Sequence, residues 1–182
     1  EATSVTYGAL ASALAKSGQW AGAVRLLGEM RSEDVLPNVI VFNSTINATE
    51  KGRRWDLAVG LLSGMESEGI APDVFTFSSV ISACEKGRQW ARALAFLEDM
   101  AARGLRANLV VLSSAIAACS RGSEWPRALR LFEALPARGL APDLVAHNIA
   151  IGACEEGWLW ERALALFGTV GDRRLAPSAV TY

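Results

Sequence analysis

The sequence predicts an all-α fold, a right-handed α-solenoid of stacked helix-turn-helix repeats. Three observations carry that prediction. Trp20, Trp55, Trp90, Trp125 and Trp160 stand 35 residues apart without a slip. Three residues after each comes an alanine: Ala23, Ala58, Ala93, Ala128 and Ala163. Apolar residues follow at seven and ten, as Leu27 and Met30, Leu62 and Met65, Leu97 and Met100, Phe132 and Leu135, Phe167 and Val170. That spacing lines one face of a helix. The small alanine lets a partner helix approach closely. A fixed period of about 20–50 residues marks a repeat array, whose single units cannot bury their own apolar face.

Each element follows in order. Repeats begin at Ser4, Val39, Val74, Leu109 and Leu144, so one array over 1–182 holds units 4–38, 39–73, 74–108, 109–143 and 144–178. Residues 179–182 open a sixth. The pattern is cut at both ends, which predicts a longer array. First helices are predicted roughly over Val5–Ala15, Ile40–Lys51, Phe75–Lys86, Val110–Arg121 and Val145–Glu156. Their buried stripes include Phe42, Ile46, Ala48 and Thr49 in the second repeat, and Phe77, Ile81 and Cys84 in the third. A turn containing Gly18, Gly52, Gly87, Gly122 or Gly157 comes next. The second helix carries the tryptophan and ends near Gly69, Gly104 and Gly139, where glycine supplies a left-handed cap. Asp34 and Arg174 stand at that place in the outer repeats. Pro37-Asn38, Pro72-Asp73, Ala107-Asn108, Pro142-Asp143 and Pro177-Ser178 then stop one helix and cap the next. Pro126 fits a first helical turn, and Pro136 should end its helix early or kink it.

Composition narrows the function. Of 182 residues, 51% are hydrophobic, and the mean hydropathy of +0.23 suits a continuous solenoid core. No uninterrupted apolar run reaches about 18 residues, so no membrane helix is predicted. The opening Glu-Ala-Thr-Ser-Val-Thr-Tyr reads as neither a signal nor a transit peptide. A net charge of −1 argues against nucleic-acid binding driven by bulk charge, but leaves room for a basic stripe on one face. Cys84, Cys119 and Cys154 share one repeat position. Stacking would hold them roughly 9–10 Å apart, too far for disulfides, so they read as small buried core residues. His147 replaces Tyr7, Phe42, Phe77 and Leu112 at a core position and has no second histidine for a metal site. No catalytic constellation is present, so no enzyme activity, cofactor, metal or small-molecule substrate is expected.

The 35-residue hairpin, the Val5-Thr6-Tyr7 opening, the alanine of the second helix and the Gly69-Ile70-Ala71-Pro72-Asp73 ending together resemble the pentatricopeptide repeat. Gly69 through Phe77 and Gly139-Leu140-Ala141-Pro142-Asp143-Leu144-Val145 show the likeness most plainly. The tetratricopeptide repeat is similar in shape, but its period is about 34 and its signature residues differ. Uniform units point to the plain class of the family, without the longer or shorter variants that accompany editing enzymes. The resemblance implies single-stranded RNA as partner, read one base per repeat by two or three side chains. It implies that the fifth and last residues of each repeat read the base and that the second residue sandwiches it. The fifth residues are Gly8, Asn43, Ser78, Ser113 and Asn148; the last are Asn38, Asp73, Asn108, Asp143 and Ser178. The second are Val5, Ile40, Phe75, Val110 and Val145. By the family's pairing, Asn43 with Asp73 reads uracil, Ser78 with Asn108 adenine, and Ser113 with Asp143 guanine. Asn148 with Ser178 takes a pyrimidine, cytosine more than uracil, and Gly8 with Asn38 is ambiguous. The implied site is any base, then U-A-G and C or U, and the implied home is a mitochondrion or chloroplast.

Other readings stand beside these. Helix capping alone explains Asn, Asp and Ser at the last positions. At the fifth positions a solvated helix face would carry Ala, Glu or Lys, whereas Gly, Asn and Ser are poor helix formers. Lys16, Lys51, Lys86 and Arg121 share one repeat position, broken by Glu156. They form either a phosphate ladder, with a salt slope of about −3, or cationic ends favoured by the helix dipole. Arg53, Arg54, Arg88 and Arg92 read as outer solvated surface, and the tryptophan column as core. A protein-interaction scaffold is the rival function, slightly favoured by the low pI of about 5.9. A region that positions substrate for a larger RNA-processing enzyme is the third.

Overall fold

The computed structural model describes residues 3–172. Among them the chain forms ten α-helices, one 3₁₀ turn and no strand. The helices are α1 (Ser4–Lys16), α2 (Trp20–Ser32), α3 (Val39–Lys51), α4 (Trp55–Ser67), α5 (Val74–Lys86), α6 (Trp90–Ala102), α7 (Leu109–Arg121), α8 (Trp125–Glu133), α9 (Leu144–Glu156) and α10 (Trp160–Asp172). The first helix of each repeat starts one residue earlier than the spacing predicts. The residue after an N-cap is already helical, and Asn38, Asp73, Asn108 and Asp143 each accept from the backbone N–H three residues on. The expected left-handed ends are present at Gly69, Gly104 and Gly139, all with φ of 73°, and at Asp34 with φ of 53°. Pro136 stops α8 at Glu133 and opens the 3₁₀ turn Pro136–Arg138, because proline has no N–H and crowds the preceding turn. Arg174, Pro177, Ser178 and the start of a sixth repeat lie outside the described residues.

The helices fall into two compact units, residues 1–87 and 88–182. In the first, α1, α3 and α5 pack side by side, while α2 bridges α1 and α3, and α4 bridges α3 and α5. Its core gathers Tyr7, Ala11, Leu26, Leu27, Met30, Val41, Phe42 and Met65. In the second unit α7 lies beside α9, with α6 on α7, α8 on both, and α10 on α9. The repeat alanines Ala23, Ala58, Ala93 and Ala128 are fully buried. The cysteines are buried and free. Burial pushes the Cys119 thiol up to about 11, so it stays protonated at neutral pH and packs as a small apolar group.

The tryptophans correct the sequence reading. Trp20, Trp55, Trp90 and Trp125 are half-buried lids rather than core. Each lies over the turn glycine one repeat on. A Cβ on Gly52, Gly87 or Gly122 would come within 2.3 Å of Trp20, Trp55 or Trp90, and one on Gly157 within 2.8 Å of Trp125. These glycines have ordinary negative φ. The left-handed residue of the turn is the next one, Arg53, Arg88, Ser123 or Trp158. The glycine is needed for space, not for backbone freedom. In the first repeat Ser17 takes that place, and Gly18 is the left-handed residue at φ of 71°. Arg54 is a second correction. Its guanidinium stacks 4.7 Å over the Trp20 ring and pairs with Asp56 at 2.8 Å, so it seals the lid instead of lying free in solvent. Arg127 does the same over Trp90 at 4.5 Å.

Candidate nucleic-acid interface

The second position of each repeat is where an apolar residue should avoid water, and here it does not. Val5, Ile40, Phe75, Val110 and Val145 are 53% to 77% exposed. Each is the second residue of its first helix, so within each unit the row is repeated by neighbouring helices. A regular column of exposed apolar side chains, one per repeat, needs an explanation that scattered surface residues do not. Flat bases stacking between successive side chains would supply it.

The fifth positions lie deeper than a solvated helix face. Gly8, Asn43 and Ser113 are buried, while Ser78 and Asn148 are half-buried. A Cβ on Gly8 would sit 3.6 Å from the Ile40 side chain, which puts the fifth position of one repeat beside the second position of the next. That is ordinary van der Waals contact, so a side chain placed there would touch the second-position residue without displacing it.

The structure brings one predicted pair into direct contact. Asn43 Nδ2 donates to both carboxylate oxygens of Asp73, at 3.2 and 3.3 Å. Asp73 Oδ1 meanwhile accepts the Thr76 backbone N–H at 2.8 Å. Capping and a contact to the fifth-position amide thus coexist in one carboxylate. Asn38, Asn108 and Asp143 cap as well, through Val41, Val111 and Ala146. Ser113 and Asp143 are not bonded to each other. Ser113 Oγ is buried without a hydrogen-bond partner, which costs about 1–3 kcal/mol unless something meets it. The helix hydroxyls of Thr45 and Thr49 do bond back to carbonyls, at 2.8 and 2.7 Å. Ser78 and Asn108 belong to different compact units, and Ser178 lies outside the described residues.

The basic row is partly engaged. Lys51 Nζ donates to the Ala15 carbonyl oxygen at 2.8 Å, in the last turn of α1, where a cation favours the helix dipole. Lys86 pairs with Glu50 at 2.6 Å, and Ser82 donates to the same carboxylate oxygen at 3.0 Å. Lys16 and Arg121 lie on the exposed surface. Glu50 is a residue the sequence reading missed. It is one residue before the basic column, so only its reach across to the next repeat reveals the pairing.

His147 is buried, as expected of a core position. Its Nδ1 lies 2.8 Å from the Asp143 carbonyl oxygen, so that nitrogen carries the proton, and Phe132 meets the ring edge-on at 5.2 Å. Among the described residues no three His, Cys, Asp or Glu groups gather to hold a metal, and no helix is long and apolar enough to cross a membrane.

Known proteins share the repeat and the fold. Family models described as the PPR repeat family, the PPR repeat and the pentatricopeptide repeat domain match residues 37–86, residues 5–35 and 75–105, and residues 95–156. No curated protein matches the chain. Among solved structures, PPR10 in complex with an 18-nt psaJ RNA element is 28% identical over 100% of this chain, with a TM-score of 0.77. PPR10 from maize is 31% identical over 97% of this chain, with a TM-score of 0.78. The chain spans 25% of the length of either. The PPR domain of Arabidopsis thaliana protein-only RNase P 1, in complex with tRNA, has a TM-score of 0.81 at 14% identity, covering 94% of this chain and 90% of that domain, a likeness of fold alone. The repeat models cover nearly all of the described helices, the fold is that of a helical-repeat solenoid, and the chain belongs to the pentatricopeptide repeat family.

Proposed function

We propose that this chain is a sequence-reading clamp for single-stranded RNA, taking one base per repeat at a site of any base, U, A, G, then C or U. The observation that supports it most is the exposed apolar column at Val5, Ile40, Phe75, Val110 and Val145, set beside small polar residues at the fifth positions. The Asn43–Asp73 contact and the orphaned Ser113 hydroxyl add polar groups able to meet base edges. PPR10, the relative of the same family, was solved with RNA. Binding is the whole act assigned to these residues, with no catalytic step. Their setting is organellar RNA processing, stability or translation, carried over from the family; a fluorescent fusion of the full-length protein found outside mitochondria and chloroplasts would overturn that setting.

Fluorescence anisotropy with short RNAs tests the reading. An RNA carrying UAGC in uniform flanks should bind with a Kd of about 1 μM, near −8 kcal/mol, and better than its scrambled counterpart. The preference should vanish in the Asn43→Ala and Ser113→Ala double variant. Equal binding of both RNAs by the wild type would reduce the chain to a charge-driven module. No binding at high micromolar protein would favour a protein scaffold instead. Salt dependence gives a second readout. Glu50 neutralises Lys86, so the slope of log K against log salt should be about −2, from three phosphate contacts. Glu50→Gln frees Lys86 and should steepen it toward −3, at about −0.7 per contact; an unchanged slope would remove Lys86 from the phosphate path.

A further inference from the structure

We propose that Thr76 is a specificity-determining positioning residue, which fixes the amide of Asn43 so that the second repeat accepts uracil and turns cytosine away. The inference rests on the base-reading role proposed above for Asn43.

The argument starts from proton positions. A carboxylate only accepts, so the end of the Asn43 amide that faces Asp73 at 3.2–3.3 Å is Nδ2. Asn43 Oδ1 then faces Thr76 Oγ1 at 2.6 Å; two bare acceptors would repel at that distance, so the hydroxyl proton goes there rather than to Asp73 Oδ1, 2.9 Å from the same oxygen. Thr76 is itself held. It is fully buried, its Oγ1 accepts from the Asp73 backbone N–H at 3.1 Å, and its own N–H donates to Asp73 Oδ1 at 2.8 Å. The α5 capping box therefore doubles as a clamp on a side chain of α3.

The clamp has a chemical consequence. With Oδ1 engaged and one amide proton on Asp73, Asn43 has one N–H left and offers a base a donor only. Uracil carries a carbonyl at its 4-position and cytosine an amine. A donor suits the first and conflicts with the second. Asp73 Oδ2, which takes no part in the cap, accepts the uracil N3–H and repels the lone pair of cytosine N3. Without the hydroxyl, Asn43 can turn its Oδ1 toward the base and accept the cytosine amine. Val41, Val111 and Ala146 occupy this place in neighbouring repeats, so the helix tolerates an apolar residue there, and the two-residue reading of Asn43 with Asp73 does not include it.

Binding of labelled RNAs carrying UAGC or CAGC in uniform flanks, to wild type, Thr76→Val and Thr76→Ser, tests the inference. Wild type and Thr76→Ser should prefer UAGC, whereas Thr76→Val should lose about three- to tenfold of that preference. UAGC over UAAC, a choice made by the Ser113 repeat, should be unchanged in Thr76→Val. Thr76→Ala, which matches Ala146, takes its place if the valine variant does not fold. A valine variant that keeps the wild-type preference for uracil overturns the inference alone. One that loses discrimination at both nucleotides makes Thr76 a general structural residue and also overturns it. A wild type that binds UAGC and CAGC equally overturns both the inference and the base reading beneath it.

Discussion

Replacing Asn43 by serine is expected to move the base read by the second repeat from uracil to guanine. The change recreates in the second repeat what the chain already holds at Ser113 and Asp143 in the fourth. Both carboxylates cap the following helix through Oδ1, at 2.8 Å in each case. The last-position partner is therefore presented from the same backbone place in both repeats. Two residues differ: a donor amide at Asn43 clamped by Thr76 in one, and at Ser113 a buried hydroxyl without a partner, with Ala146 in place of the threonine, in the other. Serine can donate or accept, and it opens room beside the Asp73 carboxylate for a purine edge. A well-formed base contact discriminates by about 1–3 kcal/mol, so the preference should reverse by at least tenfold at about 1.4 kcal/mol per decade. Anisotropy with UAGC and GAGC would measure it. Uniform weakening toward both RNAs, without reversal, would mean that the fifth residue contributes packing and not base choice.

Gly52→Ala is expected to destabilise the protein by about 1–3 kcal/mol, the ordinary cost of overpacking. The added methyl would lie 2.3 Å from Trp20 Cδ1, so the indole and the Arg54 guanidinium above it must shift together. Gly60→Ala is the contrasting case. Gly60 lies in mid-α4, exposed, with open space where its Cβ would be. Alanine there should stabilise by about 0.5–1 kcal/mol, since glycine in a helix interior carries an entropic cost. Urea denaturation gives both signs. A cycle with Trp20→Ala isolates the cause, because contacting residues are not additive. If Gly52→Ala costs as much without the indole as with it, the steric account of the turn glycine fails.

The features legible in the sequence are those set within one turn of backbone. The period, the helix ends at Glu133 and at Gly69, Gly104 and Gly139, and the caps at Asn38, Asp73, Asn108 and Asp143 follow from side chains acting on their own neighbourhood. The apolar stripe was legible for the same reason, since helical spacing puts its members on one face before any partner is known. The exposed second-position column was identified through family resemblance, and burial then set it apart from the core stripe.

What the tertiary structure decided lies one repeat away. Trp20 over Gly52, Lys86 on Glu50, and Thr76 on Asn43 join residues 32 to 36 positions apart. Periodicity puts such residues in neighbouring columns but leaves open which atoms meet. It made the tryptophans look like core and the lysines look free, because an amphipathic pattern gives the direction of a side chain and not how much the next helix covers it. That coverage depends on how closely adjacent first helices pack. Once it is known, a turn glycine becomes a steric requirement, a capping threonine becomes a clamp on the Asn43 amide, and part of a basic row becomes an ion pair. The sequence alone determined the array and the columns; packing between repeats determined which members of each column are free to meet a ligand.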